Sequence, residues 1–347
     1  VMLVGQKAAP TIQTFCRSFL FKIFGLLAGL KIVNVRDPAV AKLVMSSSNQ
    51  KGYTLENRIA TPAWLPVISL ESVDGDLWWM MKKNFKEFQK HLPSTSTLQT
   101  IVTTNVKKMV EEHQQARKKI TAETFILFTI EVFLTYLFGD KWNKTDADII
   151  VAASWEWRKE IAMRGQGNKQ LKEKCVHHVV SLITNSALFP LFGEKWEEPQ
   201  YFSLVLQPYL ISPAINMVDI FVAMKHLLKG QKDPLLKGEG VREFMKVALR
   251  DMHPFPILER YVDKDIVLNG KVIIEAHTQV IMFASEIFEK STIFGVGERA
   301  CAGADLAKTF IVSAWSVLQE SISDGVFCPE EGHKYSGRNN DLETNFS

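Results

Sequence analysis

Residues 122–138, AETFILFTIEVFLTYLF, carry only two charged side chains, Glu123 and Glu131, and run into Gly139-Asp140. A segment of this length and composition reads as a helix that is apolar on every side, closed by a glycine. Such a helix belongs in the middle of a core, so the chain must supply other helices to surround it. It has the means: 347 residues, 46% of them hydrophobic, can hide about three quarters of the surface that the unfolded chain exposes. Neither metal nor disulfide staples are needed at that size. Cys16, Cys175, Cys301 and Cys328 lie far apart with no CxxC pair, which argues against a zinc site or a secreted disulfide framework and for reduced thiols. A net charge of +3 without a long basic tract gives no sign of a nucleic-acid partner.

Helical spacing recurs over residues 76–89, 98–119, 146–164, 171–186, 214–229 and 241–252. Asp37-Pro38 opens another helix, because Asp accepts from free amides and Pro at the first helical position loses no needed donor. The preceding LKIVNV is strand-like, and residues 259–283 carry β-branched residues around a Leu268-Asn269-Gly270 turn, which predicts a hairpin. The expected fold is mainly α with a small β region. Residues 19–33 are apolar but interrupted by Lys22 and Lys31, too short an uncharged run to span a bilayer. The chain begins at Val1 and not at a methionine, so a targeting signal at the natural N-terminus would lie out of sight. Residues 230–240 read as a mobile connection.

The residues with chemistry are Phe294-Gly295-Val296-Gly297-Glu298-Arg299-Ala300-Cys301-Ala302-Gly303, which lead into an amphipathic helix with Leu306, Phe310, Ala314, Val317 and Leu318 on one side. A glycine-rich loop thus presents a cysteine at a helix start, where free N–H groups and the dipole favour a thiolate, the form that ligates metal or attacks carbon. Arg299 is a fixed cation suited to a carboxylate. The same residues also suit a surface turn with a buried free cysteine.

Phe294, Gly297, Arg299, Cys301 and Gly303 fill every fixed position of F-x-x-G-x-R-x-C-x-G, and through them the chain resembles the cytochromes P-450. At average residue frequencies such a match arises by chance in fewer than about one in a thousand chains of this length. The resemblance implies a cytochrome P-450-like fold and haem b, with Cys301 as the axial thiolate to iron, Phe294 beside the sulfur and Arg299 on a propionate. Thiolate donation favours O–O cleavage in such proteins. Residues 74–82, DGDLWWMMK, resemble the family's helix whose tryptophan and basic residue reach a propionate, here Trp78 and Lys82, with lysine where arginine is usual. Residues 249–260 resemble the end of its ExxR helix and the following strand, which makes Arg260 a third propionate partner and sets Phe255 to Leu258 beside the substrate.

The chain departs from the family in four places. Val247 stands where the ExxR glutamate belongs, which leaves Arg250 without its usual buried partner; Glu239 and Arg242 match the spacing but in the wrong place. The long helix over the distal haem face, with its acidic–Thr pair for proton delivery, finds no counterpart in residues 224–241. A deletion is indicated between Phe288 and Phe294, and the whole is shorter than usual members. His177-His178 reads as a solvated helix edge and Asn143-Lys144-Thr145 as a chance glycosylation match.

The expectation is therefore one cytochrome P-450-like domain over residues 1–347, incomplete: a β-rich part at 20–60, a helical body at 74–252, a hairpin region at 256–285, and the cysteine loop and following helix at 291–320. The resemblance, closest in kind to the arthropod microsomal type, implies a monooxygenase that hydroxylates small lipophilic molecules with O2 and electrons from an NADPH-dependent cytochrome P-450 reductase. Lys82, Lys83, Lys86 and Lys90 form the face on which that donor would dock. The implied place is the cytosolic side of the endoplasmic reticulum membrane, with membrane association in the full-length form. Two readings stand beside it: a catalytically silent relative that binds haem or a lipophile, and a non-functional product of a shortened gene or transcript.

Overall fold

Local chemistry sets most of the helix starts. Helix α1 (Pro38–Ser47) follows strand β1 (Lys31–Val35), and the Asp37 carboxylate accepts from the N–H groups of Ala39 and Val40 at 2.8 and 2.9 Å. Helices α2 (Gly75–Gln89), α3 (Thr95–Gln115), α4 (Ala122–Phe138), α5 (Lys144–Ile161) and α6 (Lys169–Thr184) come next. At the start of α5 the Asn143 side chain accepts from Thr145 and Asp146, while Asp146 accepts from the Asn143 N–H. This capping box occupies the asparagine of the apparent glycosylation match. The computed structural model describes residues 31–48, 50–51, 61–162, 164–228, 236, 238–255, 257–289 and 291–334. Cys16, most of the apolar stretch at 19–33, most of the connection at 230–240 and Pro256 lie outside the described residues. Of the part expected to be β-rich, the described residues hold a five-residue strand and a ten-residue helix.

Helix α7 runs from Pro199 to Leu228, with a π-helical turn over Leu206–Ile211. It begins well before the helix expected at 214–229. Pro208 and Pro213 mark the difference: each lacks an N–H and would break a regular ladder, and the wider turn between them lets the helix continue. By length and composition α7 could cross a membrane, but most of it is buried inside the protein. Helices α3, α4, α7 and α9 (Ala304–Leu318) pack into one bundle. Within it α4 is the buried helix that its composition demands, and the stacked rings of Phe133 and Phe310, 5.7 Å apart, join α4 to α9.

The far end of α7 is tied down by buried charges. Asp219 accepts from Arg158 of α5 at 2.8 Å and from His333 at 2.7 Å, and Arg158 also donates to the Lys334 carbonyl at 2.7 Å. Lys225 pairs with Glu330 at 2.9 Å and donates to the Phe327 carbonyl at 2.7 Å.

Helix α8 (Glu239–Asp251) leads into the sheet. Strand β5 (Thr278–Phe283), buried throughout, is its centre, with β2 (Ile257–Val262) antiparallel on one side and β1 parallel on the other, Lys31 opposite Thr278. Strands β3 (Ile266–Leu268) and β4 (Lys271–Ile274) form the predicted hairpin. Asn269 and Gly270, with φ of 52° and 73°, make its turn in the left-handed region that Asn-Gly tolerates. Arg250 corrects an expectation: its guanidinium is half exposed and bidentate on Asp251, at 2.6 and 3.0 Å, so the missing Glu at position 247 strands no buried charge. The Glu239–Arg242 pair is likewise exposed, at 3.8 Å.

Candidate functional site: a cysteine loop facing an apolar cavity

Residues 292–304 form a chain of tight turns that ends on α9. Gly295 donates to Thr292, Ala300 to Gly297, and the Cys301 N–H to the Phe294 carbonyl at 2.8 Å, so the loop closes on itself around the cysteine. Gly297 is fixed by two demands. Its φ is +75°, and a Cβ there would stand 2.5 Å from the Met45 carbonyl oxygen and 3.0 Å from the Ser46 Cα. The C-terminal end of α1 therefore rests directly on the loop backbone, which only glycine permits.

Cys301 projects into a cavity of about 540 Å³ with a mostly apolar lining that includes Phe85, Phe133, Met217, Leu249 and Phe288. This volume lies in the range of small-molecule pockets. The cysteine is deep in the protein yet open to the cavity, unlike the buried Cys175 and Cys328. Burial pushes its thiol up to about 11, against a hydrogen bond from the Gly303 backbone that lowers it. The helix start alone therefore does not yield the thiolate expected from the sequence; a bound cation would have to displace the proton.

Trp78, Lys82 and Arg299 come together at one edge of the cavity. Arg299 lies 4.5 Å above the Trp78 ring and Lys82 4.8 Å from its centroid. The Arg299 guanidinium reaches the carbonyls of Val73 at 2.7 Å and Glu71 at 3.2 Å and pairs with the Asp74 carboxylate. It thereby clamps the cysteine loop to the segment before α2. Lys82 is held by the Glu298 carboxylate at 2.6 Å. Arg260, on β2, is 3% exposed, lines the same cavity and donates to the Glu259 carbonyl at 2.8 Å. Phe294, Gly297 and Gly303 also line it, as do Phe255, Ile257 and Leu258.

Three supporting residues had no signal in the sequence. His253 lies 2.9 Å from the Phe255 carbonyl and 3.1 Å from its N–H through Nδ1 and 3.0 Å from the Ile293 carbonyl through Nε2, pinning the entry of the cysteine loop to the approach of β2. Gln89 donates to the Ala302 carbonyl at 3.1 Å. Asp74 accepts from the Lys51 N–H as well as from Arg299. All three join segments distant in sequence. His177-His178 forms no part of the site; His178 contacts Asp146 at 3.3 Å.

A long helix does border the cavity, contrary to the expectation drawn from residues 224–241. It is α7, supplied by the chain before Met224, and it gives the cavity Gln207, Ser212 and Asn216 among apolar neighbours. It contains no threonine.

These residues suit a flat haem bound through sulfur. Gly303 gives the test: a Cβ there would meet no protein atom within 4 Å. Packing within the protein does not ask for glycine at this cavity-lining position, whereas a planar group lying against the backbone would. The accessible sulfur, the apolar walls and the cations at the rim agree with that group.

No protein-family model and no curated protein matches the chain. Solved structures do. A six-coordinated cytochrome P-450 from Thermus thermophilus shares 17% identity and a TM-score of 0.58, over 81% of this chain and 83% of that one. A 4-phenylimidazole-bound cytochrome P-450 from the archaeon Picrophilus torridus shares 14% identity and a TM-score of 0.58, over 82% and 88%. A P-450 in complex with hexadec-9Z-enoic acid ligated acyl carrier protein shares 13% identity and a TM-score of 0.60, over 90% and 94%. The chain has the cytochrome P-450 fold, mainly α with a small sheet.

Proposed function

We propose, from the cytochrome P-450 fold and the cysteine loop at its cavity, that the chain is a haem-thiolate monooxygenase acting on small lipophilic molecules. The observation that carries this reading is Cys301, an accessible sulfur on a self-closed loop at the wall of a mostly apolar cavity. Haem b bound there would supply an iron centre that activates O2, with thiolate donation favouring O–O cleavage. Cys301 would hold the iron, and Phe294 would shield the sulfur. Arg299, Arg260 and Lys82, with Trp78 beneath the first and last, would hold the propionates. Lys82 would exchange the exposed Glu298 carboxylate for one of them, while Arg299 would keep its clamp on Asp74 and serve chiefly to position the loop. The apolar wall from α7 would exclude water and orient the substrate.

Electrons would come from an NADPH-dependent cytochrome P-450 reductase. The exposed Lys83 and Lys86 of α2 and Lys90 just after it support docking of an acidic donor beside the cysteine loop, which Gln89 touches. The arthropod microsomal type rests on the N-terminal half of the sequence, FGLLAGLKIVNVRDPAVAKLVMSSSN in particular; derivation from a longer form rests on the deletion indicated between Phe288 and Phe294, and residence on the cytosolic face of the endoplasmic reticulum on that resemblance and on the reduced cysteines. One observation favours a second reading, a haem- or lipophile-binding relative without turnover: α7 offers the cavity no carboxylic acid to deliver protons.

The test is spectroscopic. Reconstituted with haem, reduced and exposed to carbon monoxide, the chain should show the red-shifted absorption of a thiolate-ligated iron, and Cys301→Ala should abolish it. A band that persists in the variant refutes the ligand assignment.

A further inference from the structure

This inference rests on the monooxygenase reading and deepens it. We infer that Ser212 and Asn216 select a neutral lipophile bearing a hydroxyl or carbonyl oxygen over one that ends in a carboxylate or an ammonium.

Ser212 and Asn216 are four residues apart, so they share one face of α7, and both line the cavity while remaining half-buried. Pro213, Met217 and Ile220 beside them are buried and apolar. Gln207 donates from Nε2 to the Ser212 Oγ at 3.3 Å, across the π-helical turn. With that lone pair engaged, the Ser212 hydroxyl keeps its proton to give, and the Asn216 amide offers both a donor and an acceptor. The pair can thus satisfy an alcohol or a carbonyl completely.

It cannot satisfy an ion. Among the described residues, the charged side chains that line the cavity are Lys51, Glu71, Lys82, Lys86, Arg260, Glu298 and Arg299, and none of them belongs to α7. The α7 charges Asp219 and Lys225 are committed at its far end to Arg158, His333 and Glu330. On the proposed reading the rim cations Arg260, Arg299 and Lys82 serve the propionates. A carboxylate or ammonium seated against Ser212 and Asn216 would lose its hydration with no countercharge beside it, the costly case for burial. A carboxylate could accept from both donors, so the discrimination against it rests on the missing countercharge, whereas an ammonium also leaves the two donors unmatched.

Displacement of Nile red from the haem-loaded full chain by 1-decanol, decanoate and decylamine tests this, because the three share one alkyl chain. Decanol should displace the dye at concentrations about tenfold or more below the two ions, and Ser212→Ala and Asn216→Leu should each shrink that preference about fivefold. Ser212→Thr, which keeps the hydroxyl, should retain it. Both variants should still bind Nile red, which shows that the cavity survives. Equal or tighter binding of decanoate or decylamine by the parent chain, or a preference that persists in the Ser212→Ala, Asn216→Leu double variant, overturns the inference. The haem reading is judged separately, by the carbon monoxide band and its loss in Cys301→Ala. Should that band be missing in the parent, displacement by 1-decanol alone from the haem-free parent and the double variant decides, because an alcohol forms no ion pair with the rim cations; equal displacement from the two overturns the inference.

Discussion

Gly297 and Gly303, at either end of the cysteine turn, should behave oppositely when replaced by alanine, one through folding and the other through the cofactor. At Gly297 the new Cβ meets the Met45 carbonyl oxygen at 2.5 Å, and that backbone belongs to a helix which cannot yield cheaply. The left-handed φ at Gly297 adds about 1 to 2 kcal/mol for a residue with a Cβ, and forcing apart a packed contact adds about 1 to 3 kcal/mol. Together these make about 2 to 5 kcal/mol, a large share of a total stability that is itself about 5 to 15 kcal/mol. At Gly303 neither term applies, since φ is −97° and the Cβ meets open space. Loss of unfolded-state freedom should stabilise by about 0.4 to 1 kcal/mol, offset by a few tenths for a poorer N-cap. Thermal melts of the haem-free chains, followed by far-ultraviolet circular dichroism, should therefore place Gly297→Ala about 3 to 7 °C below the parent and leave Gly303→Ala within about a degree or two of it. After haem loading the order reverses in one respect: Gly303→Ala should release haem to an acceptor protein faster than the parent, because its methyl group occupies the cavity wall. A Gly303→Ala melt as low as that of Gly297→Ala, or a Gly297→Ala melt equal to the parent's, would refute the packing argument.

Other predictions follow from the same site. A thiol reagent applied to the haem-free chain should modify Cys301 ahead of the buried Cys175 and Cys328; with its thiol held up to about 11, the rate should rise about tenfold per pH unit below that value, and mass spectrometry should show haem protecting it. Arg299→Ala should lower stability by about 2 to 4 kcal/mol in urea unfolding, since it removes the guanidinium that the Asp74 carboxylate and the carbonyls of residues 71 and 73 share. Lys82→Ala should leave stability nearly unchanged and speed only haem loss, because its partner Glu298 is exposed. With reductase and NADPH, the chain should release hydrogen peroxide in excess over product, since a positioned proton donor contributes about 10²- to 10⁴-fold and α7 gives the cavity only neutral polar groups. Well-coupled hydroxylation would show that another segment supplies the protons.

How much of this was legible in the sequence depends on the range of the interaction. Helix α4 falls on 122–138 as expected, because an all-apolar run with a glycine stop leaves few alternatives. The Asp37 cap and the Asn269-Gly270 turn are equally local. The start of α7 was not readable: Pro199, Pro208 and Pro213 look like three interruptions, and only tertiary packing makes the π-helical turn worthwhile. Arg250 looked stranded because the sequence shows what is missing at position 247 but not that the helix end is open to solvent beside Asp251. The Cys301 thiolate failed for a like reason: the helix start is written in the sequence, the depth of burial that opposes it is not. His253, Gln89 and Asp74 bond to backbone carbonyls and amides of distant segments, which carry no residue signature at all.

The sheet sets a schedule for biosynthesis. Among the described residues, strand β1 pairs only with β5 and lies parallel to it with Lys31 opposite Thr278. Most of the protein must leave the ribosome before that neighbour exists, an interval of about 12 to 50 s at ordinary elongation speeds. Throughout it the backbone groups of KIVNV that pair with β5 in the finished sheet lack that partner, the template on which foreign strands add. The chain therefore cannot finish folding domain-first from its N-terminus, and the strand's Lys31, with the Arg36 that follows it, places charge at both ends of the exposed ribbon while it waits.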